Sequence, residues 1–258
     1  MMTQSPHNLR PGLVSITFRK LSPDAIIRLC LETQLQGIEW GGDIHVPHGN
    51  TQAAHDVRRR CADAGLQIAA YGSYYYTGHS DDFENVLITA HELGAPLIRV
   101  WAGKMDAQDA DEKYFQDIVE QSRRMGDLAI KANIKLAYEF HGKTLNNNAA
   151  ASKVLLDAID NPAWQTLWQP LAIEPLAQTE SLKAVMPRLA NLHVYHWENY
   201  RNRFALANGS ADWQKYFSIA NNDLTARWAL LEFVRDDAPN ALREDAAVLR
   251  QLLGLATP

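Results

Sequence analysis

The sequence predicts a single (β/α)8 barrel, on three observations. Short apolar or β-branched runs alternate with amphipathic stretches of helical period along the 258 residues. The run starts recur at roughly 30-residue intervals, the length of one βα unit. No Gly/Ser-rich linker or abrupt change of composition divides the chain, so residues 13–258 read as one barrel behind a polar N-terminal tail, 1–12.

The runs, in order, are Leu13–Arg19, Gly37–Trp40, Gln67–Ser73, Leu97–Ala102, Lys135–His141, Thr166–Gln169, Asn191–His196 and Trp228–Val234. Between the first two, Ser22-Pro23-Asp24 supplies a cap and a first-turn proline ahead of AIIRLCLETQL. Before the fourth, Ser80-Asp81-Asp82 precedes FENVLITAHEL, which stops on Gly94. Before the fifth, Asp109-Ala110-Asp111-Glu112 puts acids at the start of a long helix running toward Lys131. A doubly wound open sheet is the competing architecture. It would ordinarily place a Gly-rich phosphate turn after the first strand, and that turn here reads Thr17-Phe18-Arg19-Lys20.

Composition narrows the class of partner. The net charge of −5 offers no global positive field for nucleic acid, and no apolar run has the roughly 18 residues of a membrane span. Cys30 and Cys61 both fall at apolar helix positions, which fits small buried hydrophobes in a reducing cytoplasm better than a disulfide.

In a packed barrel, polar residues at the C-terminal strand ends are the informative ones. Glu139 and His141 alternate with Tyr138 and Phe140, so one pair faces the mouth if the other faces the helices. Glu232 stands inside ALLEFV, where an ionised carboxylate is costly without a cation or hydrogen bonds. Two carboxylates, an amide oxygen from strand six and an imidazole from strand seven suit one divalent ion: Mn²⁺, Mg²⁺, Co²⁺ or Zn²⁺. The bland alternatives are a buried ion pair of either Glu with Arg99, and a hydrogen-bonded core histidine. Substrate-binding candidates around the same mouth are Glu39, Trp40, His45, Arg99, Trp101, His141, His196 and Arg201, with Arg203 and Trp197 beside them. An arginine there would clamp a carboxylate or phosphate, and the tryptophans would wall the substrate carbons.

These residues resemble the xylose isomerase-like superfamily of TIM barrels, which contains sugar isomerases, ketose 3-epimerases, inosose and dehydroshikimate dehydratases and a DNA-repair endonuclease branch. The resemblance covers nearly the whole chain. Its most specific parts are YEFHG, LHVYHW followed by ANGSADW, and LLEF. It implies metal ligands at Glu139, His193 and Glu232, with the strand-six ligand falling at Gln169, and catalytic proton transfer by Glu139 and Glu232. Gln169 departs from the usual aspartate and His196 from the usual acid of strand seven, so the site carries less negative charge than the family pattern. The segments IEWGGDIHVP, AYGSYYY and RVWAG resemble a branch in which 3-oxo-isoapionate is decarboxylated.

The resemblance thus implies an enzyme of carbohydrate catabolism, working through an enediolate or enolate on a small sugar or keto sugar acid. The polar N-terminus and buried-type cysteines add the expectation of a cytoplasmic location. Three classes stay open: a metal-dependent isomerase or epimerase, a decarboxylating carbon–carbon lyase, and a sugar-binding protein with a degraded metal site. Relatives often form dimers or tetramers, so a homo-oligomer is implied without any motif that demonstrates it.

Overall fold

The computed structural model describes residues 8–79, 82–174, 176–198, 202–223 and 225–255. The parallel strands are β1 (Leu9–Val14), β2 (Gly37–Gly41), β3 (Gln67–Tyr76), β4 (Leu97–Trp101), β5 (Lys135–Tyr138), β6 (Trp164–Trp168), β7 (Leu189–Val194) and β10 (Arg227–Leu231). They close in the order β1-β10-β7-β6-β5-β4-β3-β2. A short antiparallel ribbon of β8 (Trp197–Glu198) and β9 (Asn202–Arg203) rises from the loop after β7. The barrel expectation holds. The first strand starts at Leu9 rather than Leu13, because Leu9 to Leu13 pair in register with Arg227 to Leu231, and Ser15–Phe18 turn into a 3-10 helix.

The helices follow the signals in the sequence. In α1 (Pro23–Glu32) the Ser22 hydroxyl accepts from Ala25 N and Pro23 takes the first turn. α3 (Phe83–Leu93) ends on Gly94 in the left-handed region, φ 74°. Its start differs: Asp82 is the cap residue but makes no side-chain cap bond, and Ser80 and Asp81 lie outside the described residues. α4 (Glu112–Lys131) is capped by the Asp111 carboxylate on Tyr114 N, 2.7 Å. The remaining helices are α2 (Thr51–Asp63), α5 (Ala149–Ile159), α6 (Gln178–Val185), α7 (Ser210–Ala220) and α8 (Pro239–Leu252). Among the described residues no helix is long and apolar enough to cross a membrane. Cys30 and Cys61 are buried free thiols, and burial pushes the Cys61 thiol up to about 11.

Strand alternation divides each strand between two surroundings. Tyr138 faces outward, stacked on Trp164 at 4.2 Å, with its hydroxyl 2.6 Å from Ser122 of α4. The alternate positions stack inside the barrel in layers. Trp228, Leu230 and Val14 form one buried apolar cluster, and Leu97, Ala137 and Leu167 another. Gly37 is required by this filling, since a Cβ there would lie 2.4 Å from the Trp228 ring. Two residues further along the same faces, the layer becomes Glu39, Arg99, Glu139, Gln169, His193 and Glu232, all buried. The interior is therefore apolar below and ionic at the C-terminal mouth.

Candidate active site

The ionic layer is built by β2, β4, β5, β6, β7 and β10: Glu39, Arg99 and His193 lie within their strands, and Glu139, Gln169 and Glu232 stand one residue beyond theirs. Glu139 N and Glu232 N still bond the preceding strands, to Val100 O and Val194 O at 3.0 Å each. Their side chains are thus held on regular backbone rather than on loose loops. Arg99 lies between two carboxylates: its Nε donates to Glu39 Oε1 at 2.6 Å and its Nη1 to Glu139 Oε2. Trp101 Nε1 donates to the same Glu139 oxygen. Burial opposes the charge on Glu39 and Glu139. The adjoining Arg99 guanidinium outweighs it and holds both carboxyls below the usual range, Glu39 at about 2. The guanidinium itself is held well above its ordinary value.

His193 is the second bridge. Its Nε2 donates to Glu39 Oε2 at 3.3 Å, and its Nδ1 lies 3.2 Å from Glu232 Oε2 without hydrogen-bond geometry. Burial pulls the imidazolium down, but the Glu232 and Glu39 carboxylates more than offset this and raise it to about 10. Gly72 of β3 makes room for the layer, because a Cβ there would meet Arg99 Nη2 at 2.5 Å and Glu39 Oε1 at 2.8 Å.

The layer fits a divalent cation. Ligand atoms of Glu139, His193 and Glu232 lie within 4.8 Å of one another. Gln169 Nε2 donates to Phe140 O at 2.7 Å, which fixes the amide and leaves Oε1 buried with no partner, as His193 Nδ1 is. An unpartnered amide oxygen, and an imidazole nitrogen that can bind once its proton leaves, stand beside two carboxylates, and a hard-to-borderline ion would satisfy them. Glu39 on Nε2 is the outer carboxylate that orients a ligating histidine. The Arg99 ion pair posed as the alternative to a metal site is present as well, and it occupies only one oxygen of Glu139.

Above this layer opens a cavity of ≈510 Å³, the size of a small-molecule site. Glu139, His141, Gln169 and Glu232 reach it, and Leu171, Ile173, Tyr195, Trp197 and Phe233 form an apolar wall. Tyr195 and Trp197 are stacked at 3.8 Å. His141 stacks on Trp101 at 5.2 Å and donates Nδ1–H to Gly142 O at 2.6 Å, leaving Nε2 as the basic nitrogen.

Several of the substrate-binding candidates lie away from the cavity. Glu39 is sealed beneath the cavity as the brace of Arg99 and His193. Arg99 is buried with both its near carboxylates and is not a free clamp. Trp40 faces the helices, fully buried, as strand alternation with Glu39 requires. His45 is buried with Nδ1 2.9 Å from Ser15 Oγ, which also accepts from Gly41 N. Trp101 backs the site through Glu139 and His141. His196 packs on Phe204 and beside Gly209 rather than on the cavity. Arg201 lies outside the described residues; Arg203 pairs with Asp237 and covers Phe233 at 4.7 Å. Asp106 and Lys143, which line the cavity, were not singled out in the sequence. Both sit in loops without periodicity.

A family model described as "xylose isomerase-like TIM barrel" matches residues 27–252. Among solved structures, the chain is similar to a probable 3-DHS dehydratase involved in petrobactin synthesis from Bacillus anthracis. The identity is 22% and the TM-score 0.81, over 93% of this chain and 98% of that one. A 3-keto-D-glucoside 4-epimerase from E. coli matches at 14% identity and TM-score 0.75, over 95% and 98%. A D-psicose 3-epimerase matches at 15% and 0.72, over 95% and 100%. At these identities the likeness is one of fold. No curated protein sequence matches the chain.

Proposed function

The chain belongs to the xylose isomerase-like TIM barrel family, and from that premise we propose that it is a divalent-metal-dependent enzyme acting through an enolate or enediolate on a small keto sugar or keto sugar acid. The observation that carries this is the convergence of Glu139, His193 and Glu232, with the orphaned Gln169 Oε1, on the floor of a monosaccharide-sized cavity. Two structural neighbours are named for sugar substrates, a D-psicose 3-epimerase and a 3-keto-D-glucoside 4-epimerase, which supports this reading. A bound ion would polarise the carbonyl and stabilise the negative charge that develops on its oxygen.

The chain's own residues divide the work unequally. Arg99 and Trp101 both donate to Glu139, so this carboxylate is kept ionised and immobile, suited to ligation more than to proton transfer. Glu232 has His193 beside it and a place on the cavity wall, so it is the carboxyl that takes or returns a proton at the carbon next to the carbonyl. His141 Nε2 and the apolar wall orient the substrate and exclude water.

That asymmetry favours a second reading within the same chemistry. A two-base epimerase needs two mobile proton carriers, whereas decarboxylation of a 3-keto sugar acid needs one acid to protonate the enolate left by CO2. The test is metal content by elemental analysis, then turnover of keto sugars and keto sugar acids. About one ion per chain, lost in Glu139→Ala/Glu232→Ala, supports the metal reading. Glu232→Gln is expected to fold normally and lose at least ~10²-fold in kcat; near-wild-type activity would sink the assignment. Stoichiometric CO2 release separates the lyase from the isomerase.

A further inference from the structure

The mouth carries several cations. Arg99 pairs with two carboxylates, Arg203 with Asp237, and Arg19 with Asp43 while also donating to the Tyr74 hydroxyl. Lys143 differs from them. It lines the cavity, and no carboxylate of the described residues lies within ion-pair distance of it. Its placement is also imposed. Its backbone sits in the left-handed region at φ 61°, which non-glycine residues rarely adopt. Its N–H is fixed to Asp106 Oδ1 at 2.7 Å, 37 residues away in sequence. The same Asp106 oxygen accepts from Asn147 Nδ2 at 2.8 Å, and Asn147 Nδ2 also reaches Gln108. The Thr144 hydroxyl closes the turn on His141 O at 2.7 Å. A polar clasp between the loops after β4 and β5 therefore holds a strained residue at the cavity, and strain of this sort is retained where the surroundings over-determine it. Asp106 is itself engaged by these N–H groups, which moderates the repulsion it would exert on an anion in the cavity.

We propose that Lys143 is the specificity-determining residue of the mouth and that it selects substrates bearing a carboxylate, that is, keto sugar acids over neutral keto sugars. This rests on the reading of the cavity as a carbohydrate site. An unpaired ammonium on a mostly apolar rim is a point charge that one carboxylate would satisfy without displacing an existing partner. The apolar wall of Leu171, Ile173 and Trp197 offers no charge to hold the anion at the other side, so the substrate has one orientation.

The test uses two linear polyols that differ only in a carboxylate, D-gluconate and D-glucitol, titrated into the whole protein by calorimetry, with metal content measured on the same preparations. Wild type is expected to prefer gluconate. Lys143→Gln should cut that preference by about tenfold or more, and Lys143→Arg should keep it within about threefold. Glucitol binding should be the same in all three proteins. Equal binding of the two polyols by wild type, no gluconate binding, or an unchanged preference in Lys143→Gln would each overturn the proposal. A gluconate preference that depends on Lys143 in metal-free preparations would uphold it while removing the metal reading, so the two fail separately.

Discussion

His193 is held between Glu39 and Glu232 and carries a proton at neutral pH, raised to about 10. Coordination through Nδ1 requires that proton to leave. Metal uptake at pH 7 is therefore expected to release about one proton per ion from this residue, and affinity to rise with pH up to about 10. Calorimetry in buffers of different ionisation enthalpy measures the release; none at pH 7 would remove His193 from the ligand set. A second residue reports on the fold alone. Asp245 is buried, and burial pushes its carboxyl up to about 6 against the Leu206 N–H and Arg235, which pull it back. Because the folded-state value is raised, the folded chain binds this proton more tightly than the unfolded one between about pH 4 and 6. Its stabilising contribution is full below that window and lost above it. Asp245→Asn keeps an acceptor for Leu206 N and is expected to be more stable than wild type at pH 8 by on the order of 2 kcal/mol, with the gap closing near pH 4. Denaturant melts at both pH values check it. At this scale the sequence was legible where an ionisable residue broke an apolar strand, as at Glu139 and Glu232. It was illegible at Lys143, whose position depends on Asp106 in another loop. Trp40 and His45 lie away from the cavity: alternation with Glu39 turns Trp40 to the helices, and His45 lies beyond the strand, where the pattern fixes no face.

The elements show why the charged layer can exist. β3 contributes Gly72, and its missing side chain is the space in which Arg99 meets Glu39. Gly72→Ala is expected to push the guanidinium off one carboxylate and destabilise the fold by about 1–3 kcal/mol. It should weaken metal binding as well, since Glu39 and Glu139 would lose their common partner. Thermal melts and metal titration read the two effects, and an alanine variant matching wild type in both would show that the layer tolerates displacement. Strand positions were legible to within a few residues from run length and spacing. The ends were not, because the ladder stops one residue short of Glu139, Gln169 and Glu232 while the apolar pattern runs on. The start of β1 was missed for a related reason. Arg10 and Pro11 interrupt its apolar pattern, yet Arg10 lies 4.0 Å over the Trp228 ring and Pro11 pairs with Ala229.

For the whole molecule, a ligand held jointly by β5, β7 and β10, strands far apart in sequence, should stabilise the closed barrel as a unit. Mn²⁺ at about 100 times its dissociation constant is expected to add about 2.7 kcal/mol to the unfolding free energy. Thermal melts with and without the ion measure this, and Glu139→Ala/Glu232→Ala should abolish the shift. The eight-fold alternation made the closed barrel legible from one sequence, because few architectures repeat strand and helix so often without a linker.

Closure itself sets an order of events during synthesis. β1 must wait for β10 before it gains its second neighbour, and Phe233 N reaches Thr17 Oγ1 across 216 residues. Contacts of such separation form late and slowly. A nascent chain can bring Glu39, Arg99 and Glu139 together well before His193 and Glu232 leave the ribosome. In that interval it carries an open sheet edge at β1 and an unfinished ionic layer. The stage most exposed to misassembly on the ribosome is thus the one at which the protein has almost its entire core and no complete active site.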